Sequence, residues 1–167
     1  SAWYCENCLY MLLVRDIWSP MHKVLTAVSV GLAVSAVIVI ASQSPHRLRE
    51  LLFVSVAATT VLNYVFSPQM LLLLTPVALL SLRGRLLPAY ALADILNALI
   101  IFLFFWELGS GGNPWTLSGV TQKVATVRNL LLLALLAHSL YSLLPQPLRK
   151  AERLEEVGSE DGKSVAG

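Results

Sequence analysis

The sequence predicts an all-α fold: a polytopic transmembrane helical bundle of about five spans, preceded by an N-terminal interfacial or partial helix. Three observations predict it. Of the 167 residues 56% are hydrophobic and 13% charged, whereas water-soluble domains carry roughly 45–50% and about 25%. The mean hydropathy is +0.69. Apolar runs of spanning length recur along the chain, and polar or Pro- and Gly-bearing stretches separate them. A crossing takes about 20 residues, so five or six crossings use nearly the whole chain and leave little for a soluble catalytic domain. The net charge of +2 is small and its basic residues are scattered, which argues against nucleic acid as a partner.

Residues 1–23 form the N-terminal interfacial or partial helix. Residues 3–18 are apolar on balance but carry Glu6, Arg15 and Asp16, so they lie in the membrane interface or form the tail of a further span. Cys5 and Cys8 are the only cysteines. A C-x-x-C pair with no second pair and no nearby His supplies half a zinc site. A redox or disulfide role and simple burial both remain open for it.

Residues 24–144 form the transmembrane domain. Residues 24–41 are eighteen without a charge, with His22 and Lys23 at their entrance. After a polar stretch the second run covers 51–66 and stops at Ser67-Pro68-Gln69. Proline removes a backbone donor and disfavours helix at the residue before it. Residues 51–82 therefore read as a helical hairpin with Ser-Pro-Gln at its tip, or as a broken helix whose break lines protein or water. The third run, 70–82, is short, about 20 Å at 1.5 Å per residue. The fourth covers 86–106. A Gly-rich loop, 107–123, leads to the fifth at 124–144, which Pro145 and Pro147 end. Residues 145–167 read as a disordered cytoplasmic tail.

Lys and Arg concentrate on the cytoplasmic side of membrane proteins. With the C-terminus cytoplasmic in the cell membrane, eight of them fall inside and four, Arg15, Lys23, Lys123 and Arg128, outside. The Ser-Pro-Gln break and the 107–123 loop then face outward.

Polar groups at membrane depth are costly unless they face protein or water, which makes each a functional candidate. Asn63, Tyr64, Ser67 and Gln69 surround the break, near the external surface. Asp94 and Asn97 are three apart and share a helix face. His138 lies at a depth similar to that of Asp94, about 9–12 Å from the cytoplasmic side. Such a pair satisfies itself between packed helices or relays a proton. Arg128 and Asn129 sit in the first external turns of the fifth span, where an arginine snorkels to lipid headgroups or binds a lipid phosphate. No phosphate loop, H-E-x-x-H or G-x-S-x-G motif occurs, and no cofactor or metal is implied.

The run Asn63-Tyr64-Val65-Phe66-Ser67-Pro68-Gln69-Met70, leading into Leu71-Leu72-Leu73-Leu74-Thr75-Pro76, resembles a signature of GT-C glycosyltransferases. The nearest branch is the polyprenol-phosphate-mannose-dependent mannosyltransferases, although Met70 stands where that branch carries an aromatic. The resemblance extends over residues 3–82. It implies transfer of a hexose, mannose in that branch, from a polyprenyl-phosphate-linked sugar at the external face. Ser67 and Gln69, with Asn63 and Tyr64 beside them, would bind the sugar or its phosphate. Arg128 or Lys123 would neutralise phosphate charge, and membrane lipid would surround the helices. The family's catalytic carboxylate sits in a first external loop without counterpart here, since the external acids Glu6, Asp16 and Glu107 stand in other contexts. The resemblance thus implies a C-terminal membrane half, inactive alone, working with an N-terminal half or partner membrane subunit. On the residues themselves two other roles stay open, a non-catalytic structural or assembly subunit and a small transporter.

Overall fold

The computed structural model describes residues 8–43, 47–67 and 69–143. Among them the secondary structure is helical. A short 3-10 helix, η1 (Leu9–Leu12), precedes α1 (Met21–Gln43), α2 (Leu48–Val61), α3 (Met70–Ser81), α4 (Leu86–Gly109) and α5 (Val120–Leu143). The expected all-α bundle is present. Three helices, α1, α4 and α5, are long and apolar enough to cross a membrane, and the protein is a membrane protein. The tail 145–167, Cys5, Glu6 and Pro68 lie outside the described residues.

Sequence chemistry sets the helix ends. Pro20 opens α1 where a missing N–H costs nothing. Ser19 Oγ accepts from the Met21 N–H at 3.3 Å, the arrangement of an N-cap. Among the described residues 8–18 the helical part is η1, and Asp16 then folds the chain into a turn by accepting from the Trp18 N–H at 3.0 Å. Cys8 is buried and disulfide-bonded, which settles the choice between bonded and merely buried thiol.

The second apolar run stops helical winding at Val61, five residues before the end of its hydrophobic stretch. Asn63 is the reason: its Oδ1 accepts from the Val65 N–H at 3.1 Å, and that local bond competes with helix continuation. The hairpin helices have 14 and 12 residues, about 21 and 18 Å, against about 35 Å for α4 and α5.

Consecutive helices pack side by side, and α5 also packs on α2 and touches η1. At one end Arg47 Nη1 donates to the Ser142 carbonyl at 2.7 Å and Ser81 Oγ to the Arg49 carbonyl at 2.9 Å. The hairpin starts from that end, and its two helices are shorter than α4 and α5. Large apolar side chains such as Leu32, Ile38, Leu72, Ile95 and Phe102 point outward, as a lipid environment requires. The core gathers Phe53, Val54, Ala57, Val61, Leu71 and Leu74 of the hairpin with Leu132 and Leu135 of α5.

Pro76 lies inside α3 and withdraws one donor from it. One turn earlier the Leu71 carbonyl accepts from Thr75 Oγ1 at 3.0 Å and from the Tyr90 hydroxyl of α4 at 3.3 Å. A neighbouring helix thus supports the backbone around the proline.

Candidate functional site

The Ser-Pro break lies deeper than the sequence suggests. Its Phe66 is fully buried, and the guanidinium carbon of Arg128 lies 4.1 Å from the centroid of the Phe66 ring. Arg128 is eight residues into α5, about 12 Å below the start of that helix. The break is therefore sunk between the longer helices rather than held at the surface. The cause is length: two helices of about 20 Å cannot span the distance that α1, α4 and α5 cover. Non-helical backbone at such depth has to be enclosed by protein or face a water-filled recess.

Tyr10 fixes the other flank of the break. Its hydroxyl donates to the Leu62 carbonyl at 2.7 Å, just past the end of α2, and is hydrogen-bonded to Ser29 Oγ in α1. The N-terminal segment, the break and α1 are pinned together by this one phenol. Around the break Asn63, Tyr64 and Ser67 are half-buried and Gln69 is exposed. Ser67 and Gln69 carbonyls accept from the Met70 and Leu72 N–H groups at 3.1 Å each, which starts α3. Both side chains remain available to a ligand.

Arg128 has no exposed surface. Its Nη1 donates to Asn97 Oδ1 at 2.6 Å, and its Nε and Nη2 donate to Asn129 Oδ1 at 3.0 and 2.8 Å. The guanidinium is thus held within the bundle and does not snorkel. Planar fork donors and an aromatic face suit an arginine and would not suit a lysine. Of the two residues expected on one face of α4, Asn97 is buried against Arg128 and Asp94 is half-buried. Asp94 and His138 do not meet: His138 is exposed on α5, and no hydrogen bond or ion pair joins the two. Lys123 is exposed in the first turn of α5. The structure thus brings Arg128, Asn97 and Asn129 together under the break, and leaves Lys123 and His138 outside that cluster.

Three residues of this end were not singled out as site residues from sequence. Phe66 lies within the quoted run without a role of its own, and Tyr10 lies in the N-terminal segment 3–18. Glu107 reads as an external acid, but it is buried and engaged with α5, accepting from the Val120 and Thr121 N–H groups and the Thr121 hydroxyl. A groove of about 360 Å³, lined by both polar and apolar side chains, lies between residues 15–17 and 113–117.

Comparison with protein-family models, with curated proteins and with solved structures finds no match to this chain.

Proposed function

We propose that the chain is the carrier-binding membrane portion of a GT-C-like glycosyltransferase. It takes a hexose, mannose by the resemblance, from a polyprenyl-phosphate carrier at the external face of the cell membrane, with the C-terminus cytoplasmic. The observation that carries this reading is the recessed Ser-Pro break with Gln69 exposed and Ser67 half-buried, set over the buried Arg128 cation by Phe66. A sunken turn with free amide and hydroxyl groups above a fixed positive charge suits a sugar phosphate whose prenyl chain lies in lipid.

Arg128 and Phe66 have no exposed surface, so Arg128 acts on such a ligand through its field alone. The transfer forms a bond between an acceptor hydroxyl oxygen and the anomeric carbon, and releases the carrier phosphate. The hydroxyl proton needs a base. Glu107 is committed to α5; by the resemblance the base would come from a partner segment or subunit, and the chain alone would be inactive.

The second reading, a non-catalytic assembly subunit, is favoured by the way Arg128 directs hydrogen bonds to Asn97 and Asn129 inside the bundle. Mannosyl transfer in a strain complemented with Gln69→Ala and Arg128→Ala separates the two. The enzyme reading expects a loss of about tenfold or more for Gln69→Ala at normal protein level. Unchanged transfer by both variants removes these residues from the site and favours the assembly role.

A further inference from the structure

The groove between residues 15–17 and 113–117 has walls that are fixed without any ligand. On one side the Asp16 carbonyl is bonded to His22 Nε2 at 2.7 Å, and His22 is itself 1% exposed. Asp16 Oδ1 accepts from the Trp18 N–H. On the other side Asn113 Oδ1 accepts from the Trp115 N–H at 3.0 Å, and Thr116 Oγ1 donates to the Asn113 carbonyl at 3.0 Å. The Trp115 ring is held edge to face with Phe104, centroids 5.6 Å apart. Such a groove exists before binding and costs little to organise.

Its chemistry is unusual for a surface crease. Arg15 and Asp16 are exposed neighbours of opposite charge. Among the described residues Arg15 makes no hydrogen bond or ion pair, and the second carboxylate oxygen of Asp16 is likewise unused. Asn113 and Thr116 add an amide and a hydroxyl, and Ile17 and Trp115 add apolar surface. The lining charge sums to zero, so a simple anion gains nothing net from it. A saccharide fits better. Each of its hydroxyls both donates and accepts, matching a guanidinium that donates and a carboxylate that accepts. Its C–H faces suit an aromatic ring, and about 360 Å³ accommodates one or two sugar rings.

We propose that this groove binds a neutral saccharide. It deepens the transferase reading, for which the groove would hold the acceptor glycan, and rests on that reading only for the acceptor role. The test uses the purified full chain in a detergent without a sugar headgroup. Methyl α-mannoside and a mannobiose serve as probes, followed by saturation-transfer difference NMR. Saturation transfer to both sugars is expected. Asp16→Asn keeps the turn, because an Asn oxygen accepts the same N–H. It is expected to weaken binding about tenfold, and Arg15→Gln by a comparable factor, since each removes a charge-assisted bond. Wild-type protein giving no signal, or variants binding as wild type, overturns the proposal. So does displacement of the sugar by phosphoethanolamine, which would mark a lipid-headgroup site. Gln69→Ala separates this proposal from the transferase reading. It should bind the sugars normally while losing transfer. Sugar binding with unimpaired Gln69→Ala transfer sinks the transferase reading and leaves the groove standing.

Discussion

Glu107 Oε2 accepts both the N–H and the hydroxyl of Thr121, at 3.0 and 2.7 Å, while Oε1 accepts the N–H of Val120 at 3.2 Å. The last turn of α4 thereby caps the first turn of α5. The first N–H groups of a helix lack partners within it, and a carboxylate there also meets the positive end of its dipole. This explains why α5 starts at Val120, four residues before its apolar run. Glu107→Ala is expected to destabilise the bundle by about 2–3 kcal/mol, read as a lower thermal midpoint in detergent. Glu107→Gln, which keeps an acceptor oxygen, should recover about half. Equal midpoints for wild type and Glu107→Ala would refute the clamp.

The same clamp explains two glycines of the connecting loop. A Cβ at Gly119 would lie 2.6 Å from Glu107 Oε1 and 3.0 Å from the Asn113 carbonyl oxygen, and one at Gly112 would lie 2.8 Å from Glu107 Cγ. Neither position has room for a methyl group. Gly31 in α1 has nothing within 4 Å of its Cβ position. Gly119→Ala should therefore cost about 1–3 kcal/mol by overpacking, whereas Gly31→Ala should be neutral or stabilising by up to about 1 kcal/mol. Thermal midpoints of the two variants, measured side by side, check the contrast.

How much of this was legible in the sequence depends on the range of the interaction. The apolar runs give the helices, and Ser67-Pro68-Gln69 gives the hairpin, because hydropathy and proline act locally. The depth of the break does not follow from composition. It depends on Asn63 ending α2 early and on the difference in length between hairpin and flanking helices. The Asp94 and His138 pair illustrates the opposite failure: similar depth on adjacent helices says nothing about rotation, and His138 faces outward. Glu107 carried a readable signal, an acid at the end of an apolar helix before a Gly-rich loop, but its partners are thirteen and fourteen residues away in the next helix.

Arg128 and Phe66 are expected to be energetically coupled. A desolvated guanidinium on an aromatic face gains about 2 kcal/mol. Removing a buried charge also leaves Asn97 and Asn129 without that donor. Arg128→Ala should cost about 3–5 kcal/mol and Phe66→Leu less. In a double-mutant cycle the coupling should be about 1–2 kcal/mol, measured by chemical unfolding in mixed micelles. Additive effects would show that the ring merely fills space.

Cys8 provides a handle on orientation. It is disulfide-bonded, the chain has one other cysteine, and such bonds persist in oxidising compartments rather than the cytosol. Tyr10, two residues on, is bonded to Leu62 beside the break, so the break end shares the compartment of Cys8. Arg83, at the opposite end, belongs to the basic side that should be cytoplasmic. In intact cells a membrane-impermeant maleimide should label the wild-type chain only after an impermeant reductant. A cysteine introduced as Arg83→Cys should react only once the membrane is permeabilised. Labelling of the Arg83→Cys thiol from outside, with the native pair protected until permeabilisation, would invert the topology. It would also place the break and the groove on the cytosolic side, where a carrier-linked sugar of the proposed kind is not presented.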